Sequence, residues 1–456
     1  MANSYLYRTL GTPTHANKGT VSHWIKRSAI GANTEYGSFG AWANGVSSTR
    51  SHCNFYDDTI YFYSQQHSTV LQTNRKFRDT NAFYNIVIAW DTTQSTASNR
   101  VKIYVNGVQE TSFSTANYPA QNSVLEFNTS GRRFAIGCLG SGTGSAYAFW
   151  DGYISHAAFV DGLQLTPTSF GETDSTSGIW KFKSPSGITW GNNGFHLKFE
   201  NSGAMGTDSS GNSNTFAVNG NLKQSLDTPS NVYATLNTLH LQTSSPPTFS
   251  NGNTTIASIG DNDNIASTFS GEFKWYYEAK ILQNPDGTNG YGAGVGACHI
   301  DTFNYAGWKD GNRTGFINSD TKWYSNSLSG AGRFVQGAGN QVIGGLTQAT
   351  AGDIVGVACD STNGRVYIHI NGTYQNSGDP VNGTGYIGGD TAKTGLWFPW
   401  FSSDHTYGTL DVNFGNGFFG TTPISSAGSN GNGSLFEYDV PSGFYALNTK
   451  NINTYG

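Results

Sequence analysis

Charged residues are scarce in this chain of 456 residues: Asp, Glu, Lys and Arg together make up 12%, with only two Met, four Cys and 12 Pro. Helices draw on long charged side chains and Met, so the shortage disfavours helix throughout. The formal charge is −5, and no basic cluster exceeds the pairs Lys26-Arg27 and Arg132-Arg133, so nucleic acid is not an expected partner. No apolar run approaches the roughly 18 residues of a membrane span, and Met1 to Pro13 lacks a basic segment followed by an apolar one. The expectation is a soluble product made in the cytoplasm, without membrane insertion. Cys53, Cys138, Cys298 and Cys359 lie far apart, with no Cys-x-x-Cys pair and no His at zinc spacing, which predicts buried free thiols.

Gly, Ser, Thr, Asn and aromatics are abundant instead. The 59 Gly mark turns and close backbone approaches, and aromatics at 14% supply a core, each ring removing about 150–250 Å² from water. Short segments rich in β-branched and aromatic residues alternate with Gly, Asn and Ser clusters, the spacing of a β-sandwich. Asn85 to Trp90 reads as a strand. After a polar turn comes Arg100 to Gln109, in which Val101, Ile103 and Val105 share a face and Asn106-Gly107 makes a tight hairpin. The unit recurs about 265 residues later as Ile354 to Asp360, a turn, and Arg365 to Gly372. A second echo links Asp227–Ala234 to Asp439–Ala446, each continuing into Leu-Asn-Thr, and reads as the closing segment of two modules. The length exceeds what one core normally serves. The reading is all-β, two tandem antiparallel β-sandwiches over 1–165 and 246–456, with a connector containing short strands over 166–245.

Several anchors carry a family resemblance. Ala89-Trp90-Asp91, the Val101–Gly107 hairpin, Phe134–Gly137 and Trp150–Ile154 resemble a laminin-G-like, pentraxin-like jelly roll of the concanavalin A superfamily. Phe159–Pro167 is similar to the end of such domains in proteins of tailed, especially marine, bacteriophages. Gly271–Ala279, Gly294-Val295-Gly296, Gly352–Val357, Trp397–Trp400 and Val412–Gly415 resemble, in order, a SPRY-like sandwich. Asn193–Leu197 with Thr207–Asn212 is similar to a pattern joining these folds in phage structural proteins. The resemblance implies a lectin-like virion protein, displayed on the virion surface on a tail fibre or spike and binding host-surface glycan. Its partners would be other virion proteins and copies of itself, fibres usually being trimers. Capsid decoration without glycan binding is the alternative within that class, and a carbohydrate-active enzyme is the alternative outside it.

For glycan, the richest stretch is Tyr305 to Arg313, in which Tyr305, Trp308, Asp310, Asn312 and Arg313 combine aromatic faces with hydrogen-bonding groups; Trp308 would otherwise cover a sandwich edge. No cofactor is expected. Calcium, which laminin-G-like domains often bind at the rim, would find oxygens at Asp261 and Asp263, yet the stretch lacks the Gly and distal Glu of a calcium loop. Asp57-Asp58 reads as a structural turn. Catalysis is not expected. No Glu-x-Asp-x-Glu strand occurs, and Glu272 and Glu278, six residues apart on an extended strand, stand roughly 20 Å from each other, beyond the 5–10 Å glycosidases use. Trp90, Trp150, Trp275, Trp397 and Trp400 sit in strand patterns and read as packing.

Overall fold

Tyr84–Asp91 is buried along its whole length because both faces of its sheet are covered. Ile86, Ile88 and Trp90 point into an inter-sheet core, whereas Val87, on the other face, packs with Ala158, Val160 and Phe170. The computed structural model describes residues 4–43, 46, 49–140, 145–242, 247–257, 263–284, 293–300, 321–325, 332–336, 341–389, 394–403 and 408–456. It divides into two units, 1–224 with 228–230, and 225–227 with 231–456. Both are β-sandwiches, and Thr449–Tyr455, capped by Asn448 accepting from the Asn451 N–H, is the one α-helix among the described residues.

In the first unit a six-stranded sheet runs Phe195–Leu197, Gly152–Asp161, Lys18–Arg27, Tyr84–Asp91, Val101–Val105, Val108–Gln109. An eight-stranded sheet faces it, running Phe113–Asn117, Thr69–Lys76, Thr59–Ser64, Arg50–Tyr56, Glu35–Trp42, Arg133–Ile136, Tyr5–Thr9, Ala217–Asn219. Every pairing is antiparallel. Aromatic rings cluster at the centre of the core between them: Phe134 lies 5.4 Å from Phe159, 5.4 Å from Phe195 and 5.7 Å from Phe127 between ring centroids. Rings of this size fill the space that few Leu leave.

The stretch 166–245, expected as a connector, is divided between the units. Phe195–Leu197 forms an edge strand against Gly152–Asp161, Ala217–Asn219 pairs with Tyr5–Thr9, and Leu236–Gln242 belongs to a sheet of the second unit. Isolated apolar residues, Phe170, Phe195, Leu197 and Phe216, dock the first part of it, each buried. A stretch read in sequence as a connector with short strands thus supplies four anchors to the first unit.

The second unit has a seven-stranded sheet, Leu236–Gln242, Asp263–Ser267, Trp397–Ser403, Ala293–His299, Thr321–Ser325, Gly332–Gln336, Gln341–Leu346. Its nine-stranded partner is built on Thr248–Ser250, Thr255–Ala257, Leu410–Asn413, Lys274–Ile281, Ile354–Asp360, Arg365–Ile370 and Thr373–Tyr374. Tyr277 ties the two sheets across the core: its hydroxyl donates to the Gly296 carbonyl at 2.7 Å and accepts from the Gly296 N–H at 2.9 Å.

The repeated hairpin is structural repetition down to single hydrogen bonds. Asn106 and Gly107 have φ of 49° and 80°, Asn371 and Gly372 have 48° and 82°, the two left-handed positions of a type I′ turn. Asn106 Oδ1 accepts from the Asn85 N–H at 2.8 Å, and Asn371 Oδ1 from the Ile354 N–H at 2.9 Å. The ion pairs Lys18–Asp91, 3.2 Å, and Lys274–Asp360, 3.3 Å, join equivalent strands. The other echo behaves differently. Instead of closing two modules, Val232–Ala234 pairs with Leu447–Thr449 inside the second unit, the Ala234 N–H donating to Leu447 and the Thr449 N–H to Val232, both at 2.9 Å. The similar segments are the opening and closing ends of one sandwich.

Glu278 organises that closure. It is fully buried, whereas Glu272 lies exposed outside the strand, so the two do not share a working face. Its carboxyl accepts from the Tyr438 N–H at 2.8 Å, the Glu437 N–H at 2.9 Å and the Tyr276 hydroxyl at 3.0 Å. The Gly372 N–H donates to His369 Nδ1, which leaves the proton on Nε2, 2.6 Å from the Tyr276 oxygen. Burial pushes Glu278 up to about 7 against the pull of these donors. A folded-state value above the unfolded one means stability that is complete below about pH 4.5 and lost as pH rises through 7. Wild type is therefore expected to lose a few kcal/mol between pH 5 and 8 relative to Glu278→Gln. Urea midpoints of the two proteins at each pH check it.

Candidate functional site

Tyr305, Trp308, Asp310, Asn312, Arg313 and Asp261 lie outside the described residues; Asp263 opens the strand Asp263–Ser267. Among the described residues no group of three or more His, Cys, Asp or Glu could hold a metal ion. Trp90, Trp275, Trp397 and Trp400 are wholly buried, and Trp150 packs against the first core. Asp57 and Asp58, at φ 49° and 62°, form the turn between Arg50–Tyr56 and Thr59–Ser64, and Asp58 pairs with Arg27 and Arg78. Cys53, Cys138 and Cys359 are buried free thiols, Cys53 pushed up to about 12 by burial, and Cys298 is buried too.

A different group of residues comes together on the outer face of the eight-stranded sheet in the first unit. Strand alternation decides which they are: Cys53, Phe55, Ile60 and Phe62 point into the core, so Arg50, His52, Asn54, Tyr56, Tyr61 and Tyr63 point out. Register then aligns them. His52 stands opposite Tyr63 and Asn54 opposite Tyr61, and the next strand sets Gln72 opposite Tyr61. The tyrosines make a row, with ring centroids 6.2 Å apart between Tyr56 and Tyr61 and 6.0 Å between Tyr61 and Tyr63. His52 lies 5.0 Å from Tyr63, and the Arg50 guanidinium 5.7 Å from the same ring.

The hairpin of Leu139–Gly140 and Ala146–Tyr147 borders the row. It approaches so closely that a Cβ on Gly37 would fall 2.6 Å from the Leu139 side chain, and one on Gly140 would fall 2.1 Å from the Trp42 indole. Tyr147 donates its hydroxyl to Glu35. Burial, then the neighbouring Tyr63 and Glu35, raise Tyr61; burial, then Glu35, raise Tyr147, so both remain neutral donors. Burial, then the charge of Arg50, pushes His52 down to about 3, which keeps its imidazole neutral at any ordinary pH.

Beneath the rings the polar groups are unsatisfied. Asn54 is fully buried, and neither its Oδ1 nor its Nδ2 has a hydrogen-bonding partner; nor do His52 Nδ1 and Arg50 Nε. An unmade hydrogen bond on a buried amide costs about 1–3 kcal/mol, and most such groups in folded proteins are met by protein, ordered water or ligand. The face thus presents apolar ring surface and three tyrosine hydroxyls above a buried layer of unpaired donors and acceptors, and the rings and hydroxyls are equipment for gripping a flat, hydroxyl-rich molecule.

No protein family and no curated protein matches the sequence. Among solved structures, similarity extends to the SPRY domain of human HERC1, at 14% identity and TM-score 0.30, over 39% of this chain and 96% of that one. Domains LG4-5 of the mouse laminin alpha1 chain match at 11% identity and TM-score 0.28, over 90% and 85%. A putative carbohydrate binding protein from Bacteroides ovatus matches at 12% identity and TM-score 0.27, over 48% and 58%.

Proposed function

We propose that this chain binds host-surface glycan through the Tyr56–Tyr61–Tyr63 row of its first sandwich, as a virion protein of a tailed bacteriophage displayed on a tail fibre or spike. The observation that carries the binding half is the row of half-buried tyrosines on the outer sheet face, with Tyr61 and Tyr63 stacked at 6.0 Å. Sugar rings offer apolar faces to aromatic residues and hydroxyls to polar groups such as the tyrosine hydroxyls. The phage setting, the virion-surface location, the other virion proteins as partners and the trimeric assembly rest on the sequence resemblances alone.

The chain is read as a binding protein and not an enzyme. Glycoside hydrolysis needs two carboxyls about 5–10 Å apart flanking the sugar. Glu35 is engaged by Tyr147, and none of Arg50, His52, Asn54, Tyr56, Tyr61 and Tyr63 supplies a second.

A glycan array probed with the full chain is expected to select a family of oligosaccharides, without release of reducing sugar on incubation. An array on which nothing is retained removes the binding half; sugar release removes the non-enzymatic reading. Immunogold labelling is expected on tail structures of purified particles. Gold confined to capsid faces would favour decoration instead, and its absence from particles would end the virion assignment.

A further inference from the structure

On the outer face of the six-stranded sheet of the first unit, away from the tyrosine row, four rings form a column. Phe182 and His156 stack at 3.7 Å between centroids and 13° between planes; His156 and His196 are 5.7 Å apart; His196 and Trp190 stack at 5.8 Å and 16°. His196 lies in the edge strand Phe195–Leu197 and is 3% exposed. His156 sits in the irregularity between Ser155 and Ala158, where Gly152–Asp161 loses register with Lys18–Arg27, at φ 48°. A left-handed conformation costs a residue with a Cβ about 1–2 kcal/mol, and bulges of this kind re-aim a side chain. Here the bulge sets one imidazole beside another.

Both imidazoles have a buried nitrogen without a hydrogen-bonding partner, Nδ1 of His156 and Nε2 of His196. Burial first lowers both to about 4, helped at His156 by His196 and then Lys198 and at His196 by Lys198 against the pull of Asp208, so each ring is neutral, the form that offers a lone pair to a metal. A metal bound at about 2.0–2.1 Å from an imidazole nitrogen lies ~3 Å from the ring centroid, so two rings sharing one ion have centroids about 5–6 Å apart. The observed 5.7 Å falls in that range.

We propose that His156 and His196 bind one borderline transition-metal ion of the Zn²⁺ class. With only two protein ligands, and with Lys198 opposing the positive charge that Asp208 favours, binding is exchangeable.

Calorimetric titration of the chelator-treated full chain with ZnCl₂ at pH 7.5 tests this. One ion per chain at micromolar affinity is expected, weakened at least about tenfold in His156→Asn. Asn tolerates positive φ, so this variant keeps the bulge while removing the imidazole. Because the chain has ten His, ring resonances of the wild-type protein provide a second readout. Zn²⁺ is expected to shift His156 and His196. Absence of binding up to about 1 mM, undiminished binding in His156→Asn, or shifts confined to other histidines would each overturn the assignment.

Discussion

Asp58→Ala is expected to destabilise the first unit by about 3–5 kcal/mol, because it strands a buried cation. Arg27 is 1% exposed and lies over the Phe55 ring at 4.8 Å; it donates to the Phe77 carbonyl and to Asp58 Oδ1 at 2.9 Å, while its Nε has no partner. Burial lowers the Arg27 pKa, and Asp58 offsets that. For Asp58, burial acts upward, but hydrogen bonds from Arg78, the Gly31 N–H and Arg27 prevail and hold it below the usual carboxylate range. Its contribution is therefore present above the unfolded value and lost as pH falls through the folded one. Asp58→Asn retains an acceptor and a residue suited to φ 62°, so it should cost less than Asp58→Ala. Urea denaturation followed by tryptophan fluorescence measures both. A loss below about 1 kcal/mol for Asp58→Ala would mean that Arg27 finds another partner or water.

Tyr61→Ala and Tyr63→Ala are each expected to weaken glycan affinity about 10- to 30-fold, the effect of removing a central aromatic contact worth roughly 2 kcal/mol. The row depends on both rings, so the double variant should leave little measurable binding. Neither side chain enters the inter-sheet core, so folding should change by little more than the loss of cross-strand contacts, about 1 kcal/mol each. Tyr61→Phe separates ring from hydroxyl: retained affinity means stacking dominates. Calorimetry with an oligosaccharide selected on the array provides the numbers, and unchanged affinity in the double variant would move the site elsewhere.

The hairpins at Asn106-Gly107 and Asn371-Gly372 were legible because strict alternation and a turn dipeptide lie within a dozen residues of each other. The tyrosine row was not. Around it, Phe55, Tyr56, Ile60, Tyr61, Phe62 and Tyr63 form nearly continuous aromatic and apolar runs, and only register separates core ring from surface ring. His52 and Asn54 look like ordinary polar residues of a strand until their lack of partners is seen in three dimensions. The one available signal is that Tyr61 and Tyr63 alternate after the Asp57-Asp58 turn and Tyr56 stands just before it. The pairing of Val232–Ala234 with Leu447–Thr449 spans more than 200 residues, and sequence likeness between paired ends suggests duplication just as readily. His156 carries no local mark at all, since its bulge arises from two neighbouring strands.

Crystals of the full chain grown with the selected oligosaccharide give the most direct test of glycan binding at this face. A sugar ring lying against Tyr61 or Tyr63 is the predicted result. An oligosaccharide bound to the second unit, with the tyrosine row empty, would contradict it.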